Sequence, residues 1–169
     1  MVYAPGDGWW APKGFTPDGR TLAPIGRRLG GMLLDGLVVA VPSLVLLVVA
    51  LVAIIGSAAS DNESTGAPGV GLFLSAYAVI FLINIGYFFV EAELLYRRGA
   101  TWGMGWLDLK VIDTKTGGPI SRGKAYGRTA FARFISGQLF GFGYWYALMD
   151  DRRRTAHDLV CGTVVVAAS

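Results

Sequence analysis

The chain has 169 residues and a mass of 18.0 kDa, which favours one compact unit over several domains. Its hydrophobic content of 53% and its mean hydropathy of +0.49 exceed those of ordinary soluble domains. The net charge of +3 comes from basic residues that flank apolar segments, so orientation in a membrane explains it better than binding to nucleic acid.

Residues 1–24 precede the apolar segments and carry four of the seven prolines. They lack the apolar core of a signal peptide, so we predict a flexible N-terminal tail and a first helix that is kept as an anchor. Residues 25–169 then form the membrane domain.

Two long helices are predicted next. The first begins between Ile25 and Arg28 and runs to about Ile55, and it includes a charge-free run of 25 residues from 36 to 60. The second runs from about Val70 to Tyr96 and includes a charge-free run of 27 residues from 64 to 90. A helix of about 20 apolar residues crosses the hydrocarbon core of a bilayer. The sequence therefore predicts two transmembrane helices.

The basic residues predict how these helices are oriented, because Lys and Arg favour the cytoplasmic side. No basic residue lies between 57 and 69, whereas four precede the first helix and eight follow the second: Lys13, Arg20, Arg27, Arg28, Arg97, Arg98, Lys110, Lys115, Arg122, Lys124, Arg128 and Arg133. We expect a multi-pass protein of the cell (plasma) membrane, the inner membrane in a bacterium, with its N-terminus in the cytoplasm.

A small cytoplasmic β element is predicted after the second helix. Leu107, Leu109 and Val111 alternate with polar residues, which is the period of a half-buried strand, and a Thr-Gly-Gly-Pro turn follows at 116–119. The run CGTVVVAAS near the C-terminus is short and β-branched, as a second strand would be. Two such strands pair only if they lie on the same side of the membrane.

The segment between these strands contains a third apolar stretch, residues 134–149, of 16 residues. That length is short for a full crossing, and a crossing would place the basic run at 152–154 outside. We favour a re-entrant or interfacial helix within 131–149 over a third membrane-spanning helix, and both stay open. The predicted fold class is an all-α membrane protein with two transmembrane helices, this third helix and the small β element.

Asp35 is the most informative single residue, because it lies within the apolar part of the first helix, seven residues after Arg28. An ionised carboxylate at that depth is costly without a partner. The first interpretation is a structural ion pair with a cation of another segment, for which Arg128 and Arg133 are candidates. The second is a site that binds a proton or a small cation during transport.

Three further candidates lie in the second helix. Glu93 and Arg97 stand four residues apart, so they are expected to pair across one helical turn. Asn84 is the one strongly polar residue of the helix interior and is expected to face the first helix.

The last candidates lie in the segment DDRRRTAHDLVCGTVVV. Thr155 and Asp158 fit a variant of the capping box, which predicts the start of a short helix. His157 is the single histidine, expected to cap, to form an ion pair or to titrate near neutral pH. One histidine and the lone Cys161 do not form a zinc site, so neither a metal nor a cofactor is expected.

Three segments together resemble the RDD family of membrane proteins: RRLGGMLLD, GATWGMGWLDLKVIDTKTGG and DRRRTAHDLVCGTVVV. The resemblance covers residues 25–166. It implies that the arginine and two aspartates for which the family is named correspond to Arg28, Asp35 and Asp158. Gly31 departs from the alanine expected there. Some members of the family have been linked to sodium/proton exchange and others to assembly.

Two functions follow from these observations. The first is transport of a small cation or proton by an oligomer, because two or three helices are too few to enclose a pathway. The alternative is a membrane-embedded scaffold or assembly factor that binds another membrane protein. We expect the bilayer and a second copy or another membrane protein as partners, and neither nucleic acid nor an enzymatic activity.

Overall fold

A computed structural model describes residues 14–16, 18–59, 66–136, 142–150 and 153–168. Within these residues the fold is mostly helical and contains a small two-stranded sheet. The elements in chain order are α1 (Ile25–Ala58), α2 (Gly66–Arg98), α3 (Trp102–Trp106), β1 (Leu109–Asp113), α4 (Arg122–Phe131), a π-helical turn (Ala132–Ser136), α5 (Phe142–Met149), α6 (Ala156–Cys161) and β2 (Thr163–Ala167).

The two long helices confirm the sequence prediction. The segments Ile25–Ser57 and Gly69–Arg98 are long and apolar enough to cross a membrane, with hydropathies of 3.1 and 2.1. Most of their large apolar side chains are exposed, including Leu44, Leu74 and Leu82. Such faces are stable in lipid or against another apolar helix, whereas in water they would be a large unburied surface.

The chain divides into two compact units. The first unit comprises residues 1–35 and 89–169, and the second unit comprises residues 36–88. In the second unit, polar side chains bond to carbonyl groups of their own helix: Ser75 donates to Leu72 O at 2.9 Å and Asn84 donates to Ile80 O at 2.9 Å. This arrangement satisfies polar groups in an apolar setting without a second helix.

The sheet of the first unit pairs β1 with β2 in antiparallel register, from Leu109 opposite Ala167 to Asp113 opposite Thr163. The predicted strand position is confirmed, except that β1 begins at Leu109 and Leu107 ends α3. Leu109 and Val111 are buried and Lys110 is exposed, as predicted for a half-buried strand, but Ile112 and Asp113 at the end of β1 are both buried. One face packs on a core that includes Leu95 and Met104, and the other packs with Leu22.

Leu22 belongs to the segment predicted as a flexible tail, of which residues 1–13 lie outside the described part. Residues 21–23 are hydrogen-bonded to β2. Ala23 N donates to Val165 O and Ala167 N donates to Thr21 O, both at 3.0 Å. These residues therefore extend the sheet beside β2, and Leu22 lies next to Ile112, Val164 and Val166 on its second face.

The third apolar stretch is not one helix in the described residues. A π-helical turn ends at Ser136 and α5 has eight residues, while 137–141 lie outside the described part. An eight-residue helix is about 12 Å long, which is less than the roughly 30 Å of hydrocarbon in a bilayer. A third spanning helix is therefore not shown.

Candidate functional site

Asp158 is the centre of a fully buried cluster. It lies in the first turn of α6, which the predicted capping box opens: Thr155 N donates to Asp158 Oδ2 at 3.2 Å, and Asp158 N donates to Thr155 Oγ1 at 3.4 Å. The capping prediction for Asp158 is confirmed. Because one carboxylate oxygen is sufficient for the cap, the other faces a second set of donors.

Two arginines from distant parts of the chain contact this carboxylate. Arg28 of α1 reaches Asp158 Oδ2 through Nη1 at 3.2 Å, and Arg128 of α4 reaches Oδ1 through Nε at 2.9 Å. Thr163 of β2 also donates to Oδ1, at 3.2 Å. Arg28 and Arg128 are 3% and 4% exposed, and Asp158 is 0% exposed. Four segments of the first unit therefore meet at one side chain.

The cluster holds Asp158 in its ionised form. Burial alone would raise the pKa of the carboxyl, but the charges of Arg128 and Arg28 and the hydrogen bond from Arg128 outweigh burial and hold the pKa of Asp158 well below its usual range. A carboxylate offers about four lone-pair sites, and Thr155, Arg28, Arg128 and Thr163 supply four donors. Asp158 is thus saturated by the protein itself.

Arg28 makes further contacts that fix its position. Its Nη2 donates to Val165 O of β2 at 3.0 Å, and its Nη1 donates to Arg153 O just before α6. A buried guanidinium that bonds two carbonyls and one carboxylate is held by geometry as well as by charge. Arg28 therefore connects the start of α1 to both the sheet and the approach to α6.

His157 is buried beside this cluster, and its expected titration near neutral pH is wrong. Burial lowers the pKa of His157 to about 3, and the Arg128 charge acts in the same direction. The imidazole is therefore neutral at physiological pH, because a third positive charge would be desolvated next to two guanidinium groups.

Asp35 occupies a different position in the first unit. Its Oδ2 accepts from Thr101 Oγ1 at 2.5 Å and its Oδ1 accepts from Gly103 N at 2.7 Å. The sequence predicted a cation as its partner, but Arg128 binds Asp158 and Arg133 binds Glu91 at 2.8 Å. The hydroxyl of Thr101 and the backbone N–H of Gly103 are therefore partners of Asp35.

Asp35 reaches α3 because Gly103 has no side chain. A Cβ on Gly103 would lie 2.2 Å from the carbonyl oxygen of Gly31, whereas a Cβ on Gly31 would lie 3.4 Å from Met104 N. The backbone of α3 thus lies directly against α1, and the carboxylate of Asp35 accepts a hydrogen bond from the first turn of α3. Gly103 is required by this approach, whereas position 31 has room for the alanine expected from the family.

The predicted pair in α2 is confirmed and extended. Arg97 Nε lies 2.6 Å from Glu93 Oε1, and Arg122 of α4 lies 3.0 Å from the same oxygen. The guanidinium groups of Arg97 and Arg122 are largely exposed, so this group is a surface connection between α2 and α4. Asn84 belongs to the second unit, where it donates to Ile80 O.

Sequence reasoning missed four residues that these sites depend on: Thr101, Gly103, Glu91 and Thr163. Thr101 carries a readable signal, since it follows the Gly-Ala pair at 99–100 and threonine is a favoured helix N-cap. Thr163 contacts Asp158, five positions earlier, across the turn between α6 and β2. Gly103 contacts Asp35, 68 positions earlier, and no local pattern encodes that contact.

Comparison with known proteins places the chain in a family. The model of the RDD family matches residues 22–162, which is most of the chain. The chain belongs to the RDD family. An "Uncharacterized protein" of Haemophilus influenzae is 30% identical to this RDD protein over 109 residues. That match covers 58% of this chain and 64% of the relative, so the chain spans less than two thirds of its relative's length. No solved structure matches.

Family membership and the two apolar helices together indicate a membrane protein. Of the three residues that the family resemblance selects, Arg28 and Asp158 contact each other, and Asp35 binds α3. Among the described residues of this RDD protein, no three His, Cys, Asp or Glu side chains are grouped as a metal site would require. The arrangement fixes helices and strands in place through buried charge.

Proposed function

We propose that this RDD protein is a multi-pass protein of the plasma membrane that acts as an assembly module for another membrane protein. Its N-terminus and the two-stranded sheet lie in the cytoplasm, and the apolar faces of α1 and α2 bind the partner. The saturation of Asp158 is the observation that carries this proposal, because an acid that already accepts four donors anchors a fold and does not bind a passing ion.

The composition of the second unit supports the same proposal. The helical residues 36–58 and 66–88 contain no Asp, Glu, Lys, Arg or His. An ionisable side chain within a membrane segment is typical of a proton or ion pathway, and these residues contain none. A surface of leucine, valine and phenylalanine is suited to packing against lipid or another helix.

The sheet supports a topology for the third apolar stretch. β1 comes after α2, β2 comes after α5, and the two strands are hydrogen-bonded. A full crossing between them would place the strands on opposite sides of the membrane. We therefore propose that the stretch within 131–149 is re-entrant or interfacial and that the C-terminal strand is cytoplasmic.

We propose no enzymatic role for the buried cluster. Burial lowers the pKa of His157 to about 3 and raises the pKa of the Cys161 thiol. A neutral, buried imidazole and a protonated thiol are poorly suited to act as general base and nucleophile.

Quantitative co-purification of the full chain from mildly solubilised membranes tests the assembly role. We expect a membrane protein to be enriched with the wild type and to be lost when Leu74, Tyr77 and Phe81 are changed together to alanine. These side chains are exposed on α2 and their replacement keeps the helix apolar. Equal abundance of the variant in the membrane is the internal control. Recovery of the wild type alone, as a monomer or homo-oligomer, overturns the proposal.

Transport by an oligomer is the second candidate, and the position of Asp35 favours it. Asp35 is 8% exposed and lies within a helix that is apolar enough to span the membrane. Sodium-driven proton movement in proteoliposomes that disappears in Asp35→Asn would establish transport. Undiminished movement in that variant would exclude Asp35 as the titrating site.

A further inference from the structure

A cleft of about 300 Å³ lies where α2 ends and α3 begins. Leu94 and Arg98, one helical turn apart on α2, form one wall, and Trp102 and Trp106, one turn apart on α3, form the other. All of these residues belong to the first unit. The volume is at the lower end of the range for sites that bind small molecules.

The connection between the helices holds this cleft open. Gly99 N donates to Leu95 O at 3.0 Å and closes α2, and Gly99 has a φ of +72°, a conformation that favours glycine. Thr101 then caps α3 by accepting from Met104 N at 3.3 Å. Because Leu95 and Met104 are buried in the core behind, the two walls are fixed relative to each other.

The walls are mostly apolar and carry one guanidinium. Arg98 lies with its guanidinium carbon 5.9 Å from the centre of the Trp102 ring. Trp102 and Trp106 are nonetheless 48% and 74% exposed, although both are large and apolar. An apolar cleft with a cation at its edge is complementary to a molecule that has an acyl chain and an anionic head.

We propose that this cleft binds an anionic phospholipid, with the lipid phosphate at Arg98 and an acyl chain against Trp102 and Trp106. The cleft is continuous with a membrane-spanning segment, since Leu94 and Arg98 lie in the last two turns of Gly69–Arg98. Tryptophan is enriched at the membrane surface, and basic residues beside a span attract anionic lipid. A phospholipid is therefore present at high concentration where the cleft opens.

Native mass spectrometry of the full chain tests the charge requirement. The protein is released from micelles that contain phosphatidylglycerol and phosphatidylcholine with identical acyl chains. We expect the wild type to retain phosphatidylglycerol about ten-fold better. Both lipids present a phosphate to Arg98, but the choline cation cancels the charge of the phosphatidylcholine headgroup, whereas phosphatidylglycerol keeps its net negative charge. Arg98→Gln should remove this preference.

Arg97→Gln is the matched control, because it changes the same charge in the neighbouring residue, which pairs with Glu93 and does not line the cleft. We expect it to keep the preference for phosphatidylglycerol. An equal loss in both variants would indicate general charge attraction and overturn the proposal. A wild type without preference would also overturn it.

A second pair of variants tests the cleft itself. Gly105 lines the cleft, and a Cβ added there would meet nothing within 4 Å. Gly105→Leu should therefore fill the space without disturbing the fold and reduce retention of both lipids about ten-fold or more, whereas Gly105→Ala should retain them. Undiminished retention in Gly105→Leu overturns the site. A lipid-free dimer that dissociates in Gly105→Leu would assign the cleft to a second copy and also overturn it.

The lipid site depends on residence in a membrane and is independent of the assembly role. Loss of the co-purified partner in the α2 variant leaves lipid retention unchanged if both proposals hold. The two experiments therefore fail separately.

Discussion

The first unit contains charged residues in buried pairs, whereas the helical residues of the second unit contain no charged side chain. In the first unit, Arg28, Arg128 and Asp158 hold α1, α4 and α6 by specific contacts. In the second unit, stability depends on helical hydrogen bonds and an apolar surface. One chain thus combines a region held together by specific charged contacts with a region whose helices depend on an apolar environment.

This difference indicates where substitutions matter. A buried charge that loses its partner is strongly destabilising, because the remaining charge has neither water nor a counterion. An apolar side chain facing lipid is exchanged for another with little cost.

Asp158→Asn should have the largest effect, because it leaves Arg28 and Arg128 buried without their carboxylate. We expect the free energy of unfolding to fall by about 3–5 kcal/mol. Thermal unfolding of the detergent-solubilised protein, followed by size-exclusion chromatography, measures the change in Tm and in folded yield.

Asp18→Asn is the control for that prediction. Asp18 pairs with Arg20 at 2.9 Å on the surface of the same unit, with both side chains more than a third exposed. Exposed ion pairs contribute about 0–1 kcal/mol. A similar loss in both variants would show that burial of the cluster does not determine its contribution.

Gly103→Ala and Gly31→Ala form a matched pair that tests the contact of α3 with α1. A Cβ at position 103 meets a backbone oxygen at 2.2 Å, so α3 must move away from Asp35. We expect a loss of about 3 kcal/mol, at the upper end for overpacking. Gly31→Ala adds a Cβ at ordinary contact distance and should be neutral or stabilising by up to about 1 kcal/mol through helix propensity.

The outcome for this pair is read from the two unfolding midpoints in one detergent. Equal midpoints would contradict the close approach of the two backbones. A lower midpoint for Gly31→Ala than for Gly103→Ala would contradict it more strongly.

The sequence was sufficient for the features that depend on local pattern. The lengths of α1 and α2, the capping box at Thr155 and the Glu93–Arg97 pair all follow from spacing within one element. The resemblance to a family also selected Arg28 and Asp158, although it did not reveal that they contact each other.

Contacts between residues that are far apart in the chain could not be predicted from local sequence patterns. Asp35 was correctly identified as an acid that needs a partner, but a nearby cation and a helix terminus satisfy it equally well in principle. Which one is used depends on the approach of α3, and that approach depends on a glycine 68 positions away. In the same way, the sequence around Ile112 does not show that Leu22, 90 positions earlier, lies beside it on the same face of the sheet.

The stability of the first unit should depend on pH through His157. Its pKa is about 3 in the folded state and about 6.5 in an unfolded chain. Between these values the unfolded state binds more protons, so stability rises with pH and is lost as pH falls below about 6.5. From pH 7 to pH 5 we expect a loss of about 2 kcal/mol.

His157→Gln removes this titration and should make stability nearly constant between pH 7 and pH 5. Asp158 contributes at lower pH, because its depressed pKa gives stability that is present above about pH 4 and lost as acid protonates it. Unfolding midpoints measured at pH 5, 6 and 7 separate the two groups. A wild-type midpoint that does not change across this range would contradict the burial of a neutral histidine.

Glu93→Gln should have the smallest effect, although it removes contacts to Arg97 and Arg122 together. Both arginines reach solvent, so water replaces the lost carboxylate at once. We expect the unfolding midpoint to stay within experimental error at 150 mM salt. A loss of stability comparable to that of Asp158→Asn would mean that the exposed ion pairs between the end of α2 and the start of α4 stabilise the fold as much as the buried ones. The contrast between exposed and buried pairs in this unit would then be wrong.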